Sequence, residues 1–322
     1  MNNRLRLLQL LLLIATTLIF ISCAPAQKEF TYNKFIVGAP CEVKFYYISE
    51  RSAKEIIDVI DLELTTLDSL LNYFSEKSLV SELNRKQRVK AASDIIYLIS
   101  LSDSISCLTN GLFDISVAPL LEIWGFYQGE LTIPDTTEIE ATKKRVDYRR
   151  IQIRGDSIII PQGMKIDLGG IAQGYAADRV AMILRQRHVK SAIINIGGEV
   201  IAIGKSPQGR PWRVGIRNPR GEGIIEAIEL EDFAIATSGD YEKFFMINEK
   251  RYPHIINPKT GFPALDFVSV TIFAKDAAFA DAVATAVATM KPTEAMKFLD
   301  SLGIRGIIYY EEDGTLQRME NQ

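Results

Sequence analysis

The sequence predicts a mixed α/β fold of the α+β type from three features of its pattern. Apolar residues recur at helical spacing in the first half of the chain, as between Ile56 and Leu71. From residue 191 onward, short strand-like runs outnumber the helices between them. The order of elements is neither regular βαβ alternation nor the strand-only order of a sandwich. We therefore expect mixed sheets with flanking helices.

The first 22 residues read as a secretory signal. Arg4 and Arg6 precede an apolar run that ends at Phe20-Ile21-Ser22-Cys23. An apolar stretch followed by a small residue and a cysteine resembles the lipobox of bacterial lipoproteins, in which the cysteine becomes the lipidated first residue. An uncleaved anchor is the alternative, although the run is short for a spanning helix. Either way, we expect the body to lie outside the cytoplasm on a tether. As a lipoprotein it would be held to a membrane of the bacterial cell envelope through Cys23, facing the periplasm.

The rest of the chain divides into a polar tether at residues 23–34 and one folded domain at residues 35–322. The formal net charge is −3, and lysines and arginines are scattered along the sequence. Nucleic acid is therefore not an expected partner, since nucleic-acid binders concentrate positive charge on one face. Cys41 and Cys107 remain besides Cys23, without C-x-x-C spacing, which argues against a disulfide framework or a zinc cluster. The sequence leaves open whether those two cysteines pair.

The elements are predicted in order from periodicity, caps and turn residues. Strands occupy residues 35–48, and an amphipathic helix spans 53–71. A second helix spans 93–108, with Ser93 as candidate N-cap and Asn110-Gly111 as its stop. Residues 129–147 suit a variable surface insertion, and residues 151–160 suit a β-hairpin with a two-residue turn. A short strand at 164–166 precedes a helix at 171–185. The remaining strands are placed at 192–196, 200–203, 212–216, 224–230, 233–237, 244–247, 268–273 and 306–310, and the remaining helices at 276–290 and 293–302.

The stretch Asp167-Leu168-Gly169-Gly170 is the first candidate for chemistry. It places two glycines at a predicted strand-to-helix turn, where a backbone can approach a phosphate. Such glycine pairs more often serve backbone geometry alone, so the motif by itself does not decide between the two.

Two further candidates lie nearer the C-terminus. Asp281 and Thr285 are four residues apart in an alanine-rich helix, so they share one face and offer two hard oxygen donors suited to Mg²⁺. A packing helix with an incidental aspartate is the alternative. Of the two histidines, His188 suits a structural place at a helix end, whereas His254 precedes a turn-rich loop and is a candidate general base. Two histidines exclude H-E-x-x-H sites, and no G-x-G-x-x-G or G-x-S-x-G motif supports dinucleotide or hydrolase functions.

Taken together, seven blocks in order resemble the ApbE family, the FAD:protein FMN transferases of the bacterial envelope. The resemblance covers nearly all of residues 35–311, and its specific blocks lie at 78–84, 111–120 with 124–126, 167–178, 195–199, 236–239, 254–263 and 280–286. The resemblance implies a T-fold-like mixed α/β architecture that holds FAD between two lobes, with Mg²⁺ on its pyrophosphate.

The resemblance also implies roles for individual residues. Asp281 and Thr285 match metal-ligand positions, and Gly170 matches the position that contributes a backbone oxygen. His254 matches the base that takes the acceptor's hydroxyl proton. The implied FAD contacts are Phe74, Leu112, Phe113, Asp114, Asp167, Gln173 and Ile255. Two positions depart from the family pattern: Gln173 stands where many members carry Lys or Glu, and Val37-Gly38-Ala39 replaces Met-Gly-Thr. One assignment stays open, because Tyr73 competes with Phe74 as the aromatic residue that packs on FAD.

The implied reaction moves FMN from FAD to a threonine or serine hydroxyl of an envelope flavoprotein and releases AMP. Two alternatives remain open on the sequence: hydrolysis of FAD to FMN and AMP, and FAD binding without turnover.

Overall fold

The structure is a computed structural model that describes residues 27–127 and 131–321. The predicted signal peptide and Cys23 lie outside the described residues. The helices are α1 (Glu50–Leu71), α2 (Leu79–Lys86), α3 (Ser93–Leu108), α4 (Ala118–Ile123), α5 (Thr136–Lys143), α6 (Ala172–Gln186), α7 (Ala277–Val287) and α8 (Pro292–Leu302). The strands are β1 (Lys28–Ile36), β2 (Ala39–Tyr47), β3 (Arg88–Lys90), β4 (Gln152–Arg154), β5 (Ser157–Ile159), β6 (Ala192–Ile196), β7 (Glu199–Ile203), β8 (Trp212–Arg217), β9 (Ile224–Leu230), β10 (Ala234–Gly239), β11 (Phe244–Ile247), β12 (Lys250–Pro253), β13 (Ser269–Ala274), β14 (Gly306–Glu312) and β15 (Thr315–Glu320).

An eight-stranded sheet forms the centre of the molecule, in the order β1-β2-β6-β7-β10-β13-β14-β15. Every neighbouring pair is antiparallel. Helices α1, α6 and α7 cover one face and enclose the largest apolar core. The β8–β9 hairpin packs on the other face through a second cluster that includes Ile216 and Ile228. The predicted mixed α/β fold with flanking helices is confirmed.

A third apolar cluster builds a smaller lobe beside the sheet. Trp124 is fully buried there, among α4, α5 and the β11–β12 hairpin, and its Nε1 donates to the Gly261 carbonyl at 2.9 Å. This lobe fixes the loop after β12 that carries His254. No helix in the described ranges is long and apolar enough to cross a membrane. Cys41 is buried and Cys107 exposed, and neither forms a disulfide within those ranges.

The predicted tether is wrong in its second half, because β1 begins at Lys28 and pairs with β2 along its whole length. As an edge strand it exposes most of its polar residues, so its sequence reads as a spacer. Tyr32 anchors it by donating to Asp61 on α1 at 2.8 Å, and Lys34 pairs with the same carboxylate at 2.7 Å. The folded domain therefore starts seven residues earlier than predicted.

Two local predictions also fail. Residues 164–166 form no strand, because the Asn84 side chain satisfies both the amide and the carbonyl of Ile166, at 2.8 Å each. A side chain thus replaces the ladder that a strand would need. Ser93 is the first residue of α3 rather than its N-cap; that position belongs to Ala92, which makes no capping hydrogen bond. The Asn110-Gly111 stop is confirmed, with φ of 52° and 76°.

Helices α6 and α7 cross in close contact at Gly174. A β-carbon there would lie 2.6 Å from the Ala277 carbonyl carbon and 2.8 Å from the Ala278 α-carbon. Asp178 on α6 accepts from the amides of Ala277 and Ala278 at 2.8 and 2.9 Å, which caps α7 from the neighbouring helix. Together these contacts hold α7 against α6.

Replacing Gly174 with alanine should lower the free energy of unfolding by about 3 kcal/mol, because the added methyl group meets backbone that cannot move without shifting α7. Chemical denaturation of the domain checks the value. Gly221→Ala is the matched control: its added β-carbon meets the Asn218 side-chain amide nitrogen at 2.9 Å, the end of a flexible side chain that can turn away. A change below about 0.5 kcal/mol is expected for it. Equal effects of the two variants would contradict the close-contact argument.

Candidate active site

One cavity of about 800 Å³ is lined by ends of the sheet strands, helix α7, strand β8 and the smaller lobe. All eleven residues predicted to bind FAD, hold the metal or act as base line it. They are Phe74, Leu112, Phe113, Asp114, Asp167, Gly170, Gln173, His254, Ile255, Asp281 and Thr285. The structure therefore brings together residues that are more than 200 positions apart in the chain.

We call residues 112–114, which are implied FAD contacts, the flavin segment. The glycine turn lies between this segment and helix α7. Asp167 accepts from the Gly169 amide at 2.8 Å, which fixes the turn, and Tyr127 donates to the other carboxylate oxygen. A β-carbon at Gly170 would lie 3.0 Å from the Thr285 hydroxyl and 3.3 Å from the Phe113 ring. A glycine thus lets the turn approach Thr285, so the motif serves backbone geometry inside the cavity, and its contact with a phosphate stays a prediction.

Asp281 is buried in the same wall and accepts from the Gly174 amide at 3.1 Å. Burial raises the pKa of Asp281 to about 7, and the nearby carboxylates of Glu242 and Asp178 add to the effect. The close α6–α7 contact at Gly174 is what brings this amide to Asp281.

Glu199 adds a second buried carboxyl to this wall. It is 4% exposed, and its Oε2 has no hydrogen-bond partner. Burial, with Asp281 and Glu242 nearby, raises its pKa well above the usual range. Burial likewise raises the pKa of Glu242 to about 7. Buried carboxyls that repel one another, one with an unused oxygen, fit the proximity of a cation.

The donor set around Asp281 suits magnesium better than a transition metal. Within residues 27–127 and 131–321, no three His, Cys, Asp or Glu side chains come together in a metal-binding arrangement. A metal here would combine the Asp281 carboxylate and the Thr285 hydroxyl with backbone oxygens, waters and substrate phosphate. That is the usual share of a protein in binding Mg²⁺.

His254 presents one ring nitrogen to the cavity in a fixed tautomer. Its Nδ1 lies 3.2 Å from the Lys243 carbonyl oxygen, which also accepts from the His254 amide at 2.9 Å. Because a carbonyl can only accept, Nδ1 carries the proton and Nε2 keeps its lone pair. Burial, together with the positive charge of Lys243, lowers the pKa of His254 to about 4. The imidazole is therefore a neutral base at physiological pH.

A ¹H–¹⁵N NMR titration should show the His254 ring protonating near pH 4 rather than near 6.5, as pH falls through the lowered pKa. Lys243→Met should move the midpoint upward, since it removes a positive charge that opposes protonation. A His254 midpoint near 6.5 in the parent protein would contradict the fixed neutral state.

Comparison with known proteins shows which family the chain belongs to. A family model described as the ApbE family matches residues 37–308. The chain belongs to the ApbE family. The FAD:protein FMN transferase of Treponema pallidum is 31% identical over 80% of this chain and 78% of that protein. The Escherichia coli protein of the same name is 28% identical over 91% of this chain and 89% of its own.

Solved structures agree with the sequence comparison. The ApbE protein of Thermotoga maritima superposes with a TM-score of 0.81 at 33% identity, covering 90% of this chain and 97% of that one. The apo flavinyl transferase ApbE of Pseudomonas stutzeri gives 0.84 at 26% identity, with 93% and 96% covered. The ApbE fold thus extends over nearly the whole described chain.

The remaining residues matched to the ApbE family shape the cavity in different ways. Asp114 has both carboxylate oxygens engaged, by the Ser116 amide and hydroxyl at 2.8 and 2.6 Å and by the Tyr148 amide at 3.0 Å. Its side chain therefore holds the flavin segment in shape. The Gln173 side chain contacts the Gly197 turn, and Ile255 forms buried apolar wall. Leu112 and Phe113 lie beside Asp114 on the same wall.

The two competing aromatics occupy different settings in this ApbE cavity. Tyr73 stacks on Tyr127 with ring centroids 4.1 Å apart and donates to Glu122 at 2.9 Å. Phe74 is 54% exposed at the cavity wall, with the Lys243 ammonium 5.6 Å from its ring centroid. Phe74 is the ring free to pack on a ligand, in line with its spacing from Ser78, and its FAD contact stays a prediction.

Several cavity residues of this ApbE chain escaped the sequence analysis. No motif identifies Tyr127 or Glu242, and Glu199 is the last residue of the block at 195–199. Lys243, which orients His254 through its carbonyl, was also missed. The sequence offers one signal among these residues: Glu199 directly follows two glycines just before a predicted strand. It is the first residue of β7 and lines the cavity.

Proposed function

We propose that this chain is an FAD:protein FMN transferase, which moves FMN from FAD to a serine or threonine hydroxyl of a partner protein. The observation that carries the proposal is the meeting of a neutral histidine base with the Asp281, Thr285 and Gly170 group in one cavity. The name shared by the curated relatives supports it.

In this reaction the acceptor oxygen forms a bond to the FMN phosphorus, and the pyrophosphate bond to AMP breaks. Nε2 of His254 takes the hydroxyl proton, while Nδ1 stays bonded to the Lys243 carbonyl, so the ring needs no rotation to act. Phe74, residues 112–114, Asp167, Gln173 and Ile255 would hold FAD against this base. Positioning supplies much of the rate, since no covalent enzyme intermediate is required.

Asp281 and Thr285, with a backbone oxygen of Gly170, would hold Mg²⁺. When bound, the ion neutralises the pyrophosphate and orients it for attack. The unpartnered Glu199 oxygen and the raised pKa of Asp281 support a cation in this wall. Gly174 keeps Asp281 in place by donating to one of its oxygens.

Incubating the soluble body with FAD, Mg²⁺ and a flavinylation-acceptor domain tests the proposal. In-gel flavin fluorescence should follow the acceptor after denaturation, because the phosphoester survives unfolding. AMP release should require the acceptor. AMP release at the same rate without acceptor would indicate a pyrophosphatase, and FAD binding without AMP release would indicate a flavin-binding lipoprotein. Either result, with several acceptors tried, would overturn the proposed transfer.

We also propose that the protein is a lipoprotein of the bacterial cell envelope that acts on envelope flavoproteins. The support is the charged and apolar N-terminus that ends at Cys23. In cells, Cys23→Ser should move the protein from the membrane to the soluble envelope fraction, or leave it uncleaved, as immunoblotting would show by size and fraction. An unchanged membrane fraction at mature size would contradict lipid attachment at Cys23.

A further inference from the structure

One edge of the β8–β9 hairpin faces the cavity that contains His254. Residues 213–217 line it consecutively, which is the arrangement of a strand edge rather than of one strand face. Within the described chain, β8 pairs with β9 alone, so its other edge has no strand partner. A free edge presents unpaired backbone N–H and C=O groups that can bind an extended peptide.

The side chains of β8 alternate between a buried face and an exposed face. Val214 and Ile216 pack toward the second apolar cluster, while Arg213, Gly215 and Arg217 are exposed. The two arginines lie on one face, about 13 Å apart at the usual strand rise. Neither forms an ion pair with any described residue. Arg217 stacks on Tyr241, with its guanidinium carbon 5.2 Å from the ring centroid, which holds one positive charge at the cavity wall.

The predicted FAD contacts leave this strand unused. None of Phe74, residues 112–114, Asp167, Gln173 and Ile255 belongs to β8 or β9. Yet β8 lines the same cavity as His254, the group that must meet the acceptor hydroxyl. The strand is therefore placed for the second substrate.

We propose that the acceptor protein binds as an extended segment added to the free edge of β8, with carboxylates beside its modified hydroxyl paired to Arg213 and Arg217. Backbone hydrogen bonds along β8 hold the segment, and the two arginines select an acidic sequence. This inference rests on the proposed transferase function and names the chemistry of its protein substrate.

A charge-swap experiment tests the arginines. The variant Arg213→Glu with Arg217→Glu should raise the acceptor KM about tenfold or more for an acceptor with aspartates flanking its hydroxyl, and leave the FAD KM unchanged. An acceptor with lysines at those positions should recover activity with this variant. Arg88→Glu with Arg154→Glu is the matched control, since both residues are exposed on the separate β3–β5–β4 sheet. A raised FAD KM would mean that the arginines serve the FAD phosphates, and an absent rescue would likewise overturn the proposal.

Amide hydrogen exchange tests the strand addition and separates it from the transfer function. With His254→Ala loaded with FAD, acceptor binding should slow exchange in residues 212–217 and leave the β14–β15 amides unchanged. If acceptor binding protects residues 212–217 but the parent enzyme transfers no FMN, the docking surface is supported and the proposed transferase function is rejected. If the parent enzyme transfers FMN but acceptor binding does not protect β8, the transferase function is supported and the docking surface is rejected.

Discussion

Replacing His254 with alanine should lower the rate of FMN transfer about 10²–10⁴-fold, the usual contribution of a general base. FAD affinity should change little, because the His254 ring is not among the predicted FAD contacts and its one side-chain hydrogen bond within the described residues goes to the Lys243 carbonyl. The measurement is kcat for acceptor flavinylation, with FAD dissociation constants taken from flavin fluorescence.

His188→Asn is the control for the loss of a histidine. His188 lies after α6, outside the cavity, and asparagine tolerates its φ of 60°. Its activity should stay within about twofold of the parent by the usual size of surface effects. A similar loss in both variants, or a normal rate in His254→Ala, would remove His254 as the base.

Asp281→Asn should lower transfer about 10²–10³-fold, because Asp281 is the one carboxylate in the expected magnesium group. Asparagine keeps an oxygen to accept from the Gly174 amide, so the helix contact is retained while the charge is lost. Without metal the variant should melt no lower than the parent, since it removes a charge that burial disfavours. Thermal melts with and without MgCl₂ check this directly.

The stabilising shift that Mg²⁺ produces in the parent should disappear in Asp281→Asn. Asp276→Asn is the matched control: it lies at the N-cap of the same helix, exposed and without a side-chain capping bond. It should retain both the shift and the activity. A full Mg²⁺ shift in Asp281→Asn would place the ion elsewhere.

The sequence predicted most of this architecture because its helices and inner strands carry their own patterns. Leu64 and Leu67 mark α1 by period, and the alanines around Asp281 mark a close-packed helix. The sequence did not predict edge strand β1, because its residues are mostly polar and exposed and lack the alternation of apolar and polar residues that marks a half-buried strand. The segment before Asp167 has a strand-like sequence but forms no strand, because the side-chain amide of Asn84, 82 residues away, supplies its hydrogen bonds.

The site was predictable as a set of residues but not as chemistry. His254 and Asp281 could be identified by motif and family resemblance. The state of each depends on contacts across the chain: the Lys243 carbonyl fixes the histidine tautomer, and the Gly174 amide fixes the carboxylate. Burial, which sets both pKa values, emerges only when the lobes come together. The free edge of β8 likewise depends on the sheet pairing.

The stoichiometry of product formation decides whether this cavity joins FMN to a protein hydroxyl. Intact-mass spectrometry of the acceptor, run beside AMP quantification in the same reaction, should show one FMN phosphoester gained on one serine or threonine for each AMP released. AMP accumulating with an unmodified acceptor would contradict the account.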